Sequence, residues 1–294
     1  MNKQFDASLH ASPSRSQISP APCVGLHCSG ADGSQWRTLF ARMSDETKTI
    51  APDLIGTVSR GYKIPDGPFT LENEAASIIT EIEKLGRPAH LIGHSYGGAL
   101  ALHIARARPD LVRSLCLYEP TLFSLLNAGG ATDGSLYSEI VSLTNAIQTG
   151  IEEGCEEFSA QVFTDFWGGL GAWQALSRER RCAMIDWVYK APSDFDALLN
   201  EPDPEHIFPE RIPSTIILGS QTHAHTKRIA EILAYHGKVV ELKVLKGAGH
   251  LGPFNFKEGF EMEVLSHIRI VDRCDMASMK FKRSADCEPG TLGI

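Results

Sequence analysis

The sequence predicts an α/β fold: a mostly parallel sheet of about six strands with helices on both faces, interrupted by an inserted all-helical segment. Three observations predict it. Short apolar runs alternate with helical periodicities of about 10 to 15 residues, the pattern of strands joined by helical crossovers. That alternation stops at about Leu122 and resumes at about Pro213. Two glycine-rich loops, around Ser95 and His250, directly follow predicted strands.

The elements follow in order. Residues 1–20 are polar and serine-rich, carry no periodicity, and read as a loose N-terminal segment. Cys23-Val24-Gly25-Leu26 is a buried strand ending in the tight loop His27-Cys28-Ser29-Gly30. Trp36 to Met43 has helical spacing, and Thr47 to Leu54 is a second strand. Leu71 to Leu85 is a helix with Leu71, Ala75, Ile78, Ile79, Ile82 and Leu85 on one face. Ala89 to Gly93 is a third strand. The helix from Gly97 to Arg108 is apolar nearly all round, which predicts burial. Leu111 to Tyr118 is the fourth strand.

Residues 122–205 show helical spacing only, as in Ile140, Leu143, Ile147 and Ile151, and hold Trp167, Trp173 and Trp187. They read as a helical cap over the core formed by residues 21–121 and 206–272. Beyond the cap, Ser214 to Leu218 is a strand, Thr226 to Tyr235 a helix, Val239 to Leu245 a strand and Lys257 to Asp272 the last helix. Residues 273–294 are polar and read as a loose tail.

Composition excludes several function classes. The 294 residues, 43% of them hydrophobic, suffice for a sizeable core. A formal net charge of −8 gives no electrostatic reason to bind nucleic acid. No apolar run approaches the roughly 20 residues that span a bilayer. Seven cysteines in no paired pattern fit a reduced protein, so a cytoplasmic location is expected. No metal and no cofactor is expected. His223 and His225 lie near His250 in sequence order, but no carboxylate stands at ligand spacing. Nothing in the sequence specifies an oligomeric state.

The strongest local signal is Gly93-His94-Ser95-Tyr96-Gly97-Gly98, a G-x-S-x-G pattern between an apolar strand and an apolar helix. Such a turn aims a serine hydroxyl out of the sheet, and glycines flank it because side chains there would clash. The helix that follows directs its positive end at the site. The competing reading is an ordinary glycine-rich strand-to-helix turn. A serine nucleophile needs a base. His250 lies in Gly247-Ala248-Gly249-His250-Leu251-Gly252-Pro253, directly after the last strand. That loop places the imidazole at the C-terminal edge of the sheet, where ligands bind in open parallel sheets.

These two segments, with Leu26-His27-Cys28-Ser29-Gly30, resemble the α/β-hydrolase superfamily over roughly Pro22 to Asp272. The resemblance implies a serine–acid–histidine triad in that chain order, with Ser95 attacking a carbonyl and His250 taking its proton. It implies an oxyanion hole from the backbone N–H of Tyr96 and of Ser29. Cys28 stands where the family usually has glycine. The family's usual acid position falls at Thr222, in Gly219-Ser220-Gln221-Thr222, and threonine carries no charge. Some members, many haloalkane dehalogenases among them, place the acid one strand earlier, which here is Glu119 in Leu117-Tyr118-Glu119-Pro120. The alternative for Glu119 is a surface glutamate before a turn proline. Asp53, at another strand tip, reads as a turn or helix-cap residue.

The expected partner is a small-molecule substrate, and the expected activity is hydrolysis of a small, largely apolar carboxylic ester. A C–C bond hydrolase, a lactonase and a cofactor-free perhydrolase are the alternatives on the same triad. A non-catalytic binder that kept the pocket is the alternative of another class. Haloalkane dehalogenases and epoxide hydrolases need an aspartate where Ser95 stands. Pocket residues are expected among His27, Leu251 and the cap aromatics Phe166 and Trp167, while Phe158 and Trp173 read mostly as core.

Overall fold

In the computed structural model, residues 20–57, 67–127, 130–202, 211–237 and 240–285 are described. The expectation of a loose segment before residue 20 and the distal end of the cap, 203–205, lie outside them. Six strands form one all-parallel sheet in the order β2-β1-β3-β4-β5-β6. They are β1 Cys23–Leu26, β2 Thr49–Ile50, β3 Ala89–His94, β4 Val112–Tyr118, β5 Ser214–Gly219 and β6 Val240–Leu245.

The inner strands β1, β3, β4 and β5 are buried nearly throughout, as a parallel sheet covered on both sides requires, while edge strand β6 carries Glu241 and Lys243. Successive side chains alternate between two cores. Val24, Leu26, Leu91, Leu115, Leu117, Ile216 and Leu218 point to one core. Helices α2 Leu71–Glu83, α3 Tyr96–Ala107 and α10 Ala224–His236 pack there. Cys23, Ile92, Cys116, Tyr118 and Ile217 point to the other, with α1 Arg37–Phe40 and α12 Lys257–Ala285. Four-residue α11 Gly252–Asn255 connects the His250 loop to α12.

Between β4 and β5 the chain is helical: α4 Ser124–Asn127, α5 Ala131–Glu152, α6 Glu156–Gly168, α7 Ala172–Ala175, α8 Arg178–Trp187 and α9 Ala191–Leu199. No strand occurs there among the described residues. Its buried side chains, including Ile140, Ile147, Phe163, Trp167, Trp187 and Phe195, join the first core rather than forming one of their own.

Three boundaries differ from those read in the sequence. β2 is only two residues long, because Pro52 has no N–H to extend a ladder. The first helix begins earlier, as a 3-10 turn at Gly33–Trp36 whose entry is capped by Asp32. Helix α12 does not stop at Asp272 but continues to Ala285, so the tail of 273–294 is helical over its first half. Residues 276–285 contain neither proline nor glycine, so nothing local terminates the helix. No helix among the described residues is long and apolar enough to cross a membrane.

The chain runs from β1 to β2 on one side and then crosses back to β3 on the other. This reversal opens a crevice at the C-terminal ends of β1 and β3, the usual ligand position in such sheets. Register keeps the ends level: Leu26 pairs with Gly93, and His94 with Tyr118.

At the opposite part of the sheet, His267 of α12 is buried between Ser114 Oγ, 2.8 Å from Nε2, and Thr215 Oγ1, 2.9 Å from Nδ1. Burial, with smaller contributions from His90 and Lys243, pushes its pKa from 6.5 down to about 4. The folded chain therefore holds this imidazole neutral, while the unfolded chain protonates it below 6.5. Its stabilising contribution is complete above that value and is lost as pH falls toward 4. Urea unfolding should show stability declining between pH 7 and pH 5. His267→Gln should remove about 2 kcal/mol of that decline, from the linkage slope of one such group. An unchanged pH dependence in the variant would refute the assignment.

Candidate active site

Strand β3 delivers Ser95 onto a sharp turn. Its φ of 54° is positive, a conformation that ordinarily costs a non-glycine residue about 1–2 kcal/mol. The glycines around it are required by space. A Cβ at Gly93 would lie 2.5 Å from the Gly97 carbonyl oxygen and 2.7 Å from Gly98 Cα, and one at Gly97 would meet the Leu26 carbonyl. The turn is pinned at both ends. Ser95 N–H donates to the Tyr118 carbonyl at 3.0 Å, and the Ser95 carbonyl accepts from Gly98 and Ala99 at 2.9 and 3.1 Å.

Glu119 ends β4 and also has positive φ, 44°. Among the described residues these are the two non-glycines with that geometry. Its carboxylate is fully enclosed. Oε1 accepts from Gly219 N–H at 2.7 Å, and Oε2 accepts from Thr226 Oγ1 at 3.4 Å. Oε2 also lies 2.8 Å from His250 Nδ1, and His250 Nε2 lies 3.0 Å from Ser95 Oγ. An ionised carboxylate accepts, so Nδ1 carries the proton and Nε2 is free to receive one from the serine. Burial pushes the Glu119 carboxyl up. The His250 ring, Thr222 and the Gly219 N–H outweigh that effect and hold it below the ordinary glutamate value. Thr222, at the usual acid position, is thus a neutral hydrogen-bonding neighbour of Glu119.

The backbone N–H groups of Tyr96 and Ser29 make no hydrogen bond to the described protein. The neighbouring Cys28 N–H is already taken, donating to Gln35 Oε1 at 3.2 Å. Burial pushes the Cys28 thiol up to about 12, so it is not a thiolate nucleophile. Gln35 Nε2 then donates to His94 Nδ1 at 3.0 Å, and His94 Nε2 donates to the His250 carbonyl at 3.0 Å. These roles follow because a carbonyl only accepts and Gln35 has one amide oxygen. His94 is therefore neutral. Burial, and next the adjoining His250 ring, hold it well below the usual histidine range. The Ser29 loop and the His250 loop are in this way linked through one buried imidazole.

One cavity is lined by Ser95, and a larger one adjoins it. The inner one, of about 10 Å3, has space on the order of one water. Ser29, Ser95, Thr121, Phe163, Trp167 and Asp194 line it, with Phe123, Phe195 and Leu198 behind them. The outer one, of about 470 Å3, shares Ser29, Phe163 and Trp167 with it and adds Leu251, Arg180 and Lys257. The Trp167 ring lies 4.2 Å from the His250 ring, centroid to centroid.

Ser95, His250, Glu119, Tyr96 and Ser29 are therefore brought together, and Trp167 and Leu251 line the cavities. Two expected pocket residues do not. His27 is turned inward, donating from Nδ1 to the Cys28 carbonyl at 2.8 Å and accepting from Leu54 N–H at 3.0 Å. It shapes the loop instead of touching the cavities. Phe166 is not among the residues that line either cavity and stacks on His223, with centroids 5.0 Å apart. Phe158 is half exposed rather than core. Asp53 accepts from Gly33 N–H at 2.8 Å, a turn role. Among the described residues no cluster of three or more His, Cys, Asp or Glu could hold a metal.

Sequence reasoning missed Gln35, His94 and Asp194. His94 was visible only as a spacer in the serine motif. Gln35 carried no signal. Asp194 and Lys190, four residues apart among apolar neighbours Val188, Phe195 and Leu198, and Glu74 in the apolar stripe of Leu71 and Ile78, did carry one: charges where the pattern calls for core.

Comparison with known proteins places these features in a family. Lipase LipV of Mycobacterium tuberculosis is 33% identical over 123 residues, 42% of this chain and 42% of that protein. The stretch aligned thus spans less than half of the lipase. A pimeloyl-[acyl-carrier protein] methyl ester esterase of Neisseria meningitidis is 26% identical over 239 residues, 80% of this chain and 88% of the esterase. The solved structure of MenH from S. aureus superposes with a TM-score of 0.68 at 16% identity, covering 86% of this chain and 94% of that one, a likeness of fold. Residues 23–259 match the Alpha/beta hydrolase family, and the chain belongs to that family.

Proposed function

We propose that this chain is a serine hydrolase that cleaves a small, largely apolar carboxylic ester through an acyl-enzyme. The observation that carries the reading is the continuous relay Glu119–His250–Ser95, with contacts of 2.8 and 3.0 Å. Ser95 Oγ attacks the ester carbonyl as its proton passes to His250 Nε2. The tetrahedral oxyanion is held by the N–H groups of Tyr96 and Ser29, each donor worth about 3 kcal/mol. Collapse breaks the C–O bond to the alcohol, which leaves with the proton from His250. Water, activated by the same imidazole, then hydrolyses the acyl-serine. Glu119 holds the Nδ1–H tautomer and stabilises the imidazolium. An intact relay favours an enzyme over a binder that merely kept the pocket.

The unequal cavities support a short chain on one side of the scissile carbonyl, in the inner cavity, and a bulkier group in the outer one.

Three outcomes test the reading. A fluorophosphonate should label the protein once, at Ser95 by mass spectrometry, and Ser95→Ala should abolish both labelling and ester hydrolysis. Label mapped to another serine would overturn the proposal. Glu119→Gln should lower kcat by about 10³- to 10⁴-fold, as an amide in this position favours the wrong tautomer. Thr222→Asp, placed beside it, should restore part of that loss, and a fully active Glu119→Gln would dismiss Glu119 from the mechanism. In a p-nitrophenyl series, acetate should be cleaved faster than butyrate, and butyrate faster than octanoate. Trp167→Ala should raise octanoate relative to acetate while Phe166→Ala should not; equal effects of the two would place the acyl chain elsewhere.

A further inference from the structure

Both N–H donors assigned to the oxyanion hole belong to residues whose side-chain hydroxyls end on a single buried ion cluster. Ser29 Oγ donates to Asp194 Oδ2 at 2.6 Å. Tyr96 Oη donates to Glu74 Oε2 at 3.3 Å. Between these two carboxylates stands Lys190, its Nζ 2.7 Å from Asp194 Oδ1 and 3.1 Å from Glu74 Oε2. The ammonium also lies 4.8 Å from the centroid of the Tyr96 ring. All three charged residues are buried, none more than 4% exposed.

We propose that Glu74, Lys190 and Asp194 are positioning residues for the oxyanion hole, bracing Ser29 from one side and Tyr96 from the other. The proposal rests on the ester-hydrolase reading of Ser95. It assigns a catalytic consequence to the helical insertion, since Lys190 and Asp194 come from its last part, at the start of α9, and Glu74 from α2 of the core.

Stability alone does not account for the cluster. Taking three charges out of water is expensive, and apolar residues of similar volume would hold the same space as well or better. The surroundings are nonetheless built for it. A Cβ at Gly56, whose φ is +77°, would come within 2.6 Å of Lys190 Cδ, so only glycine leaves room for the stem. Ile55 N–H donates to Glu74 Oε1 at 2.7 Å, so Glu74 is held by three groups, Ile55, Tyr96 and Lys190. Asp194 accepts from Ser29 at Oδ2 and lies 2.7 Å from the Lys190 ammonium at Oδ1, while lining the inner cavity beside Ser95. What the cluster supplies is distance. Ser29 follows β1 and Tyr96 follows β3, on opposite lips of the sheet's crevice, and a pair of oxyanion donors works only when both reach the same oxygen.

The discriminating experiment is a double-mutant cycle on Ser29→Ala and Asp194→Asn. Steady-state kinetics would be measured on p-nitrophenyl acetate, with inhibition by an alkylboronic acid that forms a tetrahedral adduct on a reactive serine. Removing the Ser29 hydroxyl leaves its backbone donor in place but untethered. Each single variant should lose about 10- to 100-fold in kcat, a fraction of what a missing donor costs, with KM within twofold. Boronate affinity should fall in parallel. The double variant should be no worse than the poorer single, because both cut one link, and Ser29→Thr, which keeps a hydroxyl, should recover most of the rate. Additive losses, an effect on KM alone, or unchanged boronate affinity would overturn the brace; an effect on KM alone would instead make Asp194 a substrate contact. Fluorophosphonate labelling separates the two levels of the argument. Loss of labelling at Ser95 in the unaltered protein would refute the ester-hydrolase reading and the brace with it. Labelling retained in a Ser29→Ala variant of full kcat would refute the brace alone.

Discussion

A carboxylate enclosed at the end of a central strand must have every lone pair occupied or the fold bears the full cost of its desolvation. Glu119 is that carboxylate, and its partners come from two distant stretches of the chain, 219–226 and the loop of His250. Gly219 closes β5, Thr222 and Thr226 belong to the turn and helix beyond it, and His250 follows β6. Satisfying Glu119 therefore draws the ends of β4 and β5 and the His250 loop into one arrangement. Ser95 enters it from β3 through the imidazole and through its own N–H bond to the Tyr118 carbonyl. The same hydrogen bonds that make the buried charge tolerable set the geometry of the relay.

The crevice on the other side of Ser95 depends on a different device. Chain order reverses between β2 and β3, so the loops after β1 and β3 are neighbours without being sequential. Gly97 lets the start of α3 approach the end of β1 until its position would collide with any Cβ. Gln35 and His94 then carry hydrogen bonding from the Cys28 N–H across to the His250 carbonyl. Cys28 is accommodated with its thiol buried and its N–H bonded to Gln35, while the Ser29 N–H has no hydrogen-bond partner among the described residues.

The helical insertion does more than cover apolar surface. Trp167 packs against His250 with its ring tilted, and Phe163 and Trp167 line both a cavity on the order of one water and one of about 470 Å3. Lys190 and Asp194 reach past them to the loop that holds Ser29. A change in the insertion can thus alter both which groups fit beside Ser95 and how the Ser29 loop is held.

Much of this was legible in the amino-acid order. Apolar runs and 3.6-residue periodicity located five of the six strands and the helices between them to within a few residues, because burial on both faces of a parallel sheet leaves a local imprint. The serine motif and the glycine-rich His250 loop were legible for the same reason: tight turns demand glycine, and glycine shows. The family resemblance, with Thr222 at the usual acid position, implied Glu119 as the candidate acid. What local order did not carry was anything decided across the chain. Only the folded chain determined that Glu119 meets His250 rather than solvent, that His27 turns into its loop, and that Phe166 faces His223 instead of the cavity. The pairing of Glu74 with Lys190 and Asp194, more than a hundred residues further on, was likewise settled there. Hydrogen-bond partners of buried polar groups are chosen by proximity in three dimensions, and sequence spacing holds no record of that proximity beyond a turn of helix or a pair of strand residues.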